Sequence, residues 1–495
     1  MLEDVTQDSA SSGDPANGTP EFRLFIGGAW VAPEGTAEIA RVDPATEAPR
    51  SAMRTASIAQ VAGAVHAATA SGWEQSSRAD RRAVAGRLRD TIKKRHAAFA
   101  HTISHEIAAP IDFATRGQVS AALDHLGAML AAFDAATDDA PVAPGRPADR
   151  VRYDPAGVAA LITPWNWPLN QVVLKVGAAL LAGCPMVLKP SELGSETAML
   201  FAQCVADAGV PAGAFNLILG GAETGAALVA DPRVAVVSFT GSTRAGQAIA
   251  AAAAVGFRRT ILEMGGKSPN LVFADCALGT AIAQGVAHCF RNNGQSCNAA
   301  SRMLVERAVY DDAVALAAEA AQGVSVGLPS APGDHIGPQV SAAQFAHVQR
   351  MIESGLRDGA RVVAGGPGRA DGVERGFYTR PTVLADVTPD MAVFCDEIFG
   401  PVLTMTPFDT EAEAVALANA SPYGLAGYIQ TGDEARADRV AQALRVGMVQ
   451  INGQSRAPGA PFGGVKASGM GREAGLWGIR AFQDVKSISG VAAHA

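Results

Sequence analysis

Cys297 lies in the segment Asn292–Arg302, NNGQSCNAASR, a Gly/Asn/Ser-rich turn ahead of a strand-like run. A thiolate nucleophile needs exposure and nearby N–H donors, and a turn of this kind offers both. Taken alone, the segment is better accounted for by a packing cysteine buried in a loop. Two further segments bear on the choice. EMGGK, Glu263–Lys267, closes an apolar run with a carboxylate in front of a double glycine. TPWNWPL, Thr163–Leu169, holds Asn166 between two tryptophans and two prolines. A rigid side-chain amide at a strand end can donate to an oxyanion.

Two segments have the chemistry of a dinucleotide site. FTGSTRAG, Phe239–Gly246, follows the run VAVVS and opens a helix, with Ser242 as its N-cap. A helix N-terminus offers unpaired N–H groups and partial positive charge to a pyrophosphate, and Gly241 and Gly246 allow close backbone approach. The six-residue glycine fingerprint is absent, so an ordinary strand–turn–helix fits this segment equally well. VLKPSE, Val187–Glu192, places Lys189 and Glu192 where a sheet presents its carboxyl edge, the usual side for ligands. A carboxylate there accepts hydrogen bonds from both ribose hydroxyls and repels a 2′-phosphate. By itself, a surface helix start with Glu near the helix dipole is the plainer account.

Together these segments resemble the aldehyde dehydrogenase superfamily. The resemblance runs from about Phe22 to Ser489, with the motifs in the family's order. EIFGP (Glu397–Pro401) and PFGGVKASGMGRE (Pro461–Glu473) belong to it, as does the spacing from Glu263 to Cys297. It implies NAD-dependent oxidation of an aldehyde to a carboxylic acid. Cys297 would attack the aldehyde carbon, and the Asn166 amide with the Cys297 backbone N–H would hold the oxyanion. Loss of hydride would leave a thioester, and Glu263 would activate the water that hydrolyses it. Lys175 and Glu473 match positions that assist proton movement. The implied cofactor contacts are Thr163, Pro164, Trp165, Lys189, Ser191, Glu192, Gly241, Ser242, Gly246, Gly265, Glu397 and Phe399. Glu192 favours NAD, with NADP as a second possibility. Glu263 favours hydrolysis over acyl transfer to coenzyme A.

The resemblance places Trp167, Asn170, Gln171, Leu174, Arg291, Ser296, Arg456 and Phe462 around the substrate. Several are polar where apolar or aromatic residues are common, which implies a polar aldehyde, such as one with a distal carboxylate or hydroxyl held by an Arg. Arg291 pointing to solvent, or paired with an acidic residue, is the alternative. Two rival functions remain. A non-catalytic binding or structural member of the family would be expected to lack Cys297, Glu263 or Asn166, and all three are present. A thiol esterase or acyltransferase would pair its cysteine with a histidine, and the nearest in sequence is His288.

The elements that must position these residues follow from the chain's periodicity. Helical periodicity dominates from Ser57 to about Ala135. The stretch DDAPVAPGRPADRVRYDP then reads as a linker or an extended hairpin arm. From Gly157 to Glu263, the runs VAALIT, PMVLK, FNLIL, VAVVSF and TILEM alternate with helices, the pattern of a parallel sheet covered on both faces. A second such region, with RMLVERAV, RVVAGG, TVLADV and VLTMTPF as strands, runs from about Gly265 to Lys466. Asp484–Ser489 is short and β-prone and is expected to cross to another subunit. The fold class is therefore α/β and aldehyde dehydrogenase-like, with a Rossmann-type cofactor domain, an α/β catalytic domain and a small β oligomerisation arm. The expected boundaries are a disordered tail at 1–21, a dinucleotide-binding domain at 22–134 and 155–264, and a catalytic domain at 265–467. Segments 135–154 and 468–495 would join a homodimer or homotetramer.

Bulk composition excludes several classes. The chain has 495 residues, 40 basic against 48 acidic, for a formal charge of −8. No basic excess or basic block marks a nucleic-acid partner. The most apolar stretches are too short for a membrane span, and the acidic N-terminus lacks the basic and apolar regions of a secretory signal. Six cysteines without a C-x-x-C pair argue against a disulfide framework and against a zinc site, so no metal is expected and the compartment is read as cytoplasmic.

Overall fold

The computed structural model describes residues 21–492, and most of the expected acidic tail lies outside the described residues. The five apolar runs of the first region become the parallel strands Val158–Thr163, Met186–Pro190, Phe215–Leu217, Val234–Thr240 and Arg259–Glu263. Arg259–Glu263 and Val234–Thr240 lie on one side of Val158–Thr163. Met186–Pro190 and Phe215–Leu217 lie on the other. The order of winding thus reverses between Val158–Thr163 and Val234–Thr240, which opens a crevice beyond their carboxyl ends. Antiparallel strands close both edges: Leu24–Ile26 and Ala29–Val31 at one, Gly469–Met470 at the other. Every residue of Val158–Thr163 and Met186–Pro190 is buried, as strands covered on both faces require.

The second sheet has seven strands, in the order Arg361–Ala364, Thr382–Ala385, Val402–Phe408, Arg302–Glu306, Pro269–Val272, Ala426–Gln430 and Met448–Ile451. All pairs are parallel except the first. Alternation along its strands divides the core in two. Leu271, Leu304, Leu384 and Val402 enter one apolar cluster, while Val272, Met303, Val305, Val383 and Leu403 enter another on the opposite face. Pro269–Val272, Ala426–Gln430 and Met448–Ile451 carry weak sequence signals and were not foreseen.

The Pro-rich stretch is a hairpin arm. Asp139–Pro141 pairs with Asp149–Pro155, which pairs along its whole length with Gln483–Ser489 of the same chain. The arm's third strand is therefore supplied internally, and Gln483–Ser489 forms an edge of this three-stranded sheet. A second hairpin, Glu38–Val42 with Pro49–Arg54, was also not foreseen.

One small strand controls the catalytic edge. Gly469–Met470 pairs with Leu262–Glu263, and Gly469 has φ of 131°. A β-carbon there would land on the Leu262 carbonyl oxygen. Gly469→Ala is expected to cost about 2–4 kcal/mol through strain and lost pairing. The urea midpoint should fall with an unchanged denaturant slope, and an unchanged midpoint would show that this pairing does not hold Glu263.

Candidate active site

The carboxyl edge of the first sheet meets the amino edge of the second. Asn166 follows Val158–Thr163, Ser242 follows Val234–Thr240, and Glu263 ends its own strand. From the other side, Cys297 precedes Arg302–Glu306, Glu397 precedes Val402–Phe408, and Gly265 and Gly266 precede Pro269–Val272. The two sets touch. Gly266 N donates to Glu397 Oε1 at 3.1 Å, and Asn166 Nδ2 donates to the Gln295 carbonyl at 2.9 Å.

Asn166 is held by its backbone as well as its side chain. Its carbonyl accepts from Gln118 Nε2 at 3.2 Å and from Asn292 Nδ2 at 2.9 Å. Gln118 is fully buried on a wide π-helical turn, Ala114–Val119, and also donates to Asn292 Oδ1 at 2.9 Å. Asn292 and Asn293 take left-handed φ values of 55° and 59°, which asparagine tolerates better than most residues. This network fixes the turn that carries Cys297. One amide hydrogen of Asn166 is spent on Gln295, and the second has no acceptor among the described residues.

Cys297 is half-buried, and its thiol is pushed well up by burial and by the nearby carboxylates of Glu397 and Glu263. Glu263 is 1% exposed, and neither of its oxygens has a hydrogen-bond partner among the described residues. Burial first, and repulsion from Glu473 second, hold its carboxyl far above the usual range. Glu473 accepts from Lys175 Nζ at 2.5 Å, and Lys175 also donates to Ser238 Oγ at 3.1 Å. Burial raises Glu397 to about 7. Of the four expected catalytic partners, Glu263 acts on the Cys297 thiol, Asn166 bonds the Gln295 carbonyl two residues away, and Lys175 and Glu473 form a buried ion pair near Glu263.

Among the residues expected at the cofactor, Ser242 caps the helix Thr243–Ala254 by accepting from Ala245 N, and Gly241 N donates to the Glu263 carbonyl. Ser191 caps the turn Glu192–Gly194, and its N–H donates to the Thr163 carbonyl. The Trp165 ring stands edge-on to Phe399 at 5.5 Å. Gly246 is packed under Met264, and Pro164 borders Gly194. Lys189 is 6% exposed and makes no ion pair among the described residues. The hydroxyls of Thr163 and Thr240, at the two strand ends flanking the crevice, are buried and unpartnered.

Among the residues expected around the substrate, Trp167 Nε1 donates to Ser296 Oγ at 3.1 Å, and its ring meets Phe113 edge-on at 5.6 Å. Arg291 lies 5.2 Å over Phe113 and makes no ion pair among the described residues. It is exposed, as the solvent-facing alternative expects, and stacks on Phe113 rather than pairing with an acidic residue. Gln171 and Leu174 are buried on the helix Pro168–Ala182, and Phe462 packs with Cys297 and Tyr428. Asn170 and Arg456 are tied together through His125. Phe113, Gln118, His125 and Tyr428 were missed because each is a lone polar or aromatic residue in an otherwise ordinary helix or strand. His288, the rival's candidate base, accepts from Ala300 N, and burial lowers it to about 4.

A model of the aldehyde dehydrogenase family matches residues 30–488. The chain belongs to the aldehyde dehydrogenase family. It is 42% identical over 471 residues to a Pseudomonas 3-succinoylsemialdehyde-pyridine dehydrogenase, covering 94% of this chain and 98% of the relative. An aldehyde dehydrogenase from Bartonella henselae superposes with a TM-score of 0.93 at 45% identity, covering 95% of this chain and 99% of the other. A mutant aldehyde dehydrogenase C from Pseudomonas syringae, solved with NAD+ and octanal, gives 0.93 at 43% identity, covering 97% and 99%. The α/β fold expected from the sequence is the fold of these enzymes. No helix among the described residues of this aldehyde dehydrogenase is long and apolar enough to cross a membrane.

The raised Glu263 carboxyl has a consequence for stability. The folded enzyme holds a proton there that the unfolded chain has lost, so stability present below the ordinary carboxylate pKa declines as pH rises toward the raised value. Glu263→Gln removes this proton linkage. In thermal melts from pH 5 to 9 the variant should gain on the wild type as pH rises. Parallel curves would mean that Glu263 is not desolvated.

Proposed function

We propose that this aldehyde dehydrogenase oxidises a polar aldehyde to its free acid with NAD, through a covalent adduct on Cys297. The observation that carries the reading is the half-buried Cys297 thiol among two carboxylates of raised pKa, beside an amide with a spare donor. Residues suited to the cofactor surround the crevice between Val158–Thr163 and Val234–Thr240. The Thr243–Ala254 N-terminus and the buried Lys189 suit an anionic pyrophosphate and ribose end, and the orphaned Thr163 and Thr240 hydroxyls lie at the same edge. Glu192 accepts ribose hydroxyls and disfavours a 2′-phosphate, so NAD is preferred over NADP. When bound, NAD supplies the hydride acceptor.

The chain's own residues account for the remaining steps. The Cys297 thiol gives up its proton to a neighbouring carboxylate as sulfur bonds to the aldehyde carbon. Oxyanion charge then falls to the Asn166 amide and the Cys297 backbone N–H. After hydride loss a thioester remains on Cys297. Glu263 in its deprotonated form, any earlier proton having passed to solvent, takes a proton from the water that attacks the thioester, and the C–S bond breaks to release the acid and the Cys297 thiolate. Lys175 and Glu473 steady the charge behind Glu263. The outer edge of Gln483–Ser489 suits pairing with another copy in a homodimer or homotetramer, and the cysteine usage fits a cytoplasmic enzyme.

A distal carboxylate on the aldehyde is supported by Arg291, held on Phe113 beside Trp167 with no acidic partner among the described residues. The relative's name, 3-succinoylsemialdehyde-pyridine dehydrogenase, is in line with a polar aldehyde.

Two measurements test it. In assays of NADH formation at 340 nm, Cys297→Ala should abolish turnover, and Glu263→Gln should lower kcat by about 10²–10⁴-fold. Glu263→Gln at wild-type rate would remove Glu263 from the hydrolytic step. Arg291→Ala should reduce kcat/KM for a short semialdehyde by about 10-fold or more. Semialdehyde turnover unchanged in this variant would reject Arg291 as the recognition group.

A further inference from the structure

A three-residue chain crosses the substrate side and is not used by the steps above. His125, half-buried on the helix Ser120–Ala135, has its Nδ1 2.7 Å from Asn170 Oδ1 and its Nε2 3.1 Å from an Arg456 terminal nitrogen. These partners fix the tautomer. A guanidinium can only donate, so Nε2 accepts and the ring is neutral. Nδ1 then carries the hydrogen and donates it to Asn170 Oδ1. Burial lowers the His125 pKa, which favours the same neutral form.

Arg456 is held at its other end by the Ala457 and Ala460 carbonyls, and it lies 5.3 Å over the Phe462 ring. Every one of these partners is neutral, and Arg456 makes no ion pair among the described residues. Phe462 packs in the same small cluster as Cys297 and Tyr428, and Tyr428 donates to the carbonyl of Asn298, next to Cys297. A half-buried positive charge is thus immobilised one side-chain layer from the nucleophile, with acceptors that orient it and none that neutralises it. An arginine kept this way lacks a counter-ion, and a carboxylate is the anion its planar fork fits best.

We propose that His125 is a specificity-determining residue: its Nε2 holds the Arg456 guanidinium in the pocket as the counter-ion for a carboxylate at the far end of the aldehyde. This rests on the reading of the chain as an oxidiser of polar aldehydes and adds Arg456, held by His125, as a second cation in addition to Arg291 for that distal carboxylate. Asn170 orients the His125 ring, His125 orients Arg456, and Arg456 binds substrate.

The test compares 4-oxobutanoate with butanal, which has the same carbon count and no carboxylate, using the full chain and NAD. Wild type should prefer 4-oxobutanoate in kcat/KM. His125→Phe and Arg456→Leu should each shrink that preference by about 10-fold or more, through KM for 4-oxobutanoate rather than kcat. The double variant should lose little beyond Arg456→Leu alone, because the two act as one unit. His125→Gln, which keeps an acceptor and a donor, should retain part of the preference and carries the test if His125→Phe does not fold. Equal losses for both aldehydes, a loss confined to kcat, or additive losses in the double variant would overturn the role of His125. A wild-type preference that survives both His125→Phe and Arg456→Leu would overturn this inference alone, whereas butanal oxidised with no carboxylate preference would overturn the distal-carboxylate reading along with it. A folded wild type that oxidises neither aldehyde would overturn the parent reading.

Discussion

The segment Met264–Ser268 must leave one sheet at its carboxyl edge and enter the other at its amino edge, and the active site exists because that crossing is tight. Glycine is required twice. A β-carbon at Gly265 would occupy the space of the Glu397 carboxylate, and one at Gly266 would press on the Cys297 carbonyl and on Leu425. Ser468 clamps the same segment, donating to the Gly265 carbonyl at 2.7 Å and accepting from Gly424 N at 3.0 Å. Nucleophile, carboxylates and amide come from strands far apart in sequence, yet this one crossing sets their separation.

Such a site is expensive in folding free energy. Glu263, Lys175 and Glu473 are each below 5% exposed, and Glu263 has no hydrogen bond to offset its desolvation. The Lys175–Glu473 pair and the Ser238 hydroxyl compensate one carboxylate and leave the other poised. The surrounding sheets supply the compensation elsewhere, since both cores of the second sheet and the single large core of the first are almost wholly apolar. The buried carboxylate without a hydrogen bond among the described residues, Glu263, lies at the seam between them.

Much of this was legible in the sequence, for identifiable reasons. Strands buried on both faces leave continuous apolar runs, so Val158–Thr163 and Val234–Thr240 announced themselves, and the residues just after them fell at the crevice. Ser242 was readable as a cap because the residue type and position coincide. Pro269–Val272 was not, since four residues beginning with proline resemble a loop until neighbouring strands pair with it. Gln118 and His125 left no local signal either. Their meaning lies wholly in partners that are distant in sequence, Asn292 and Arg456.

The burial that raises the Cys297 thiol also raises the groups able to take its proton. An ion pair of the cysteine–histidine kind would need a nearby cation, but His288 is a neutral acceptor committed to the backbone. The thiol therefore rests protonated, and its deprotonation must accompany attack. A carboxylate of ordinary pKa would be a poor acceptor for that proton. Glu397 at about 7 and Glu263 well above the usual range narrow the gap, because a base is most effective when its pKa approaches the working pH. In the proposed reaction, desolvation, which by itself would silence the nucleophile, thus also raises the carboxylates offered as its base.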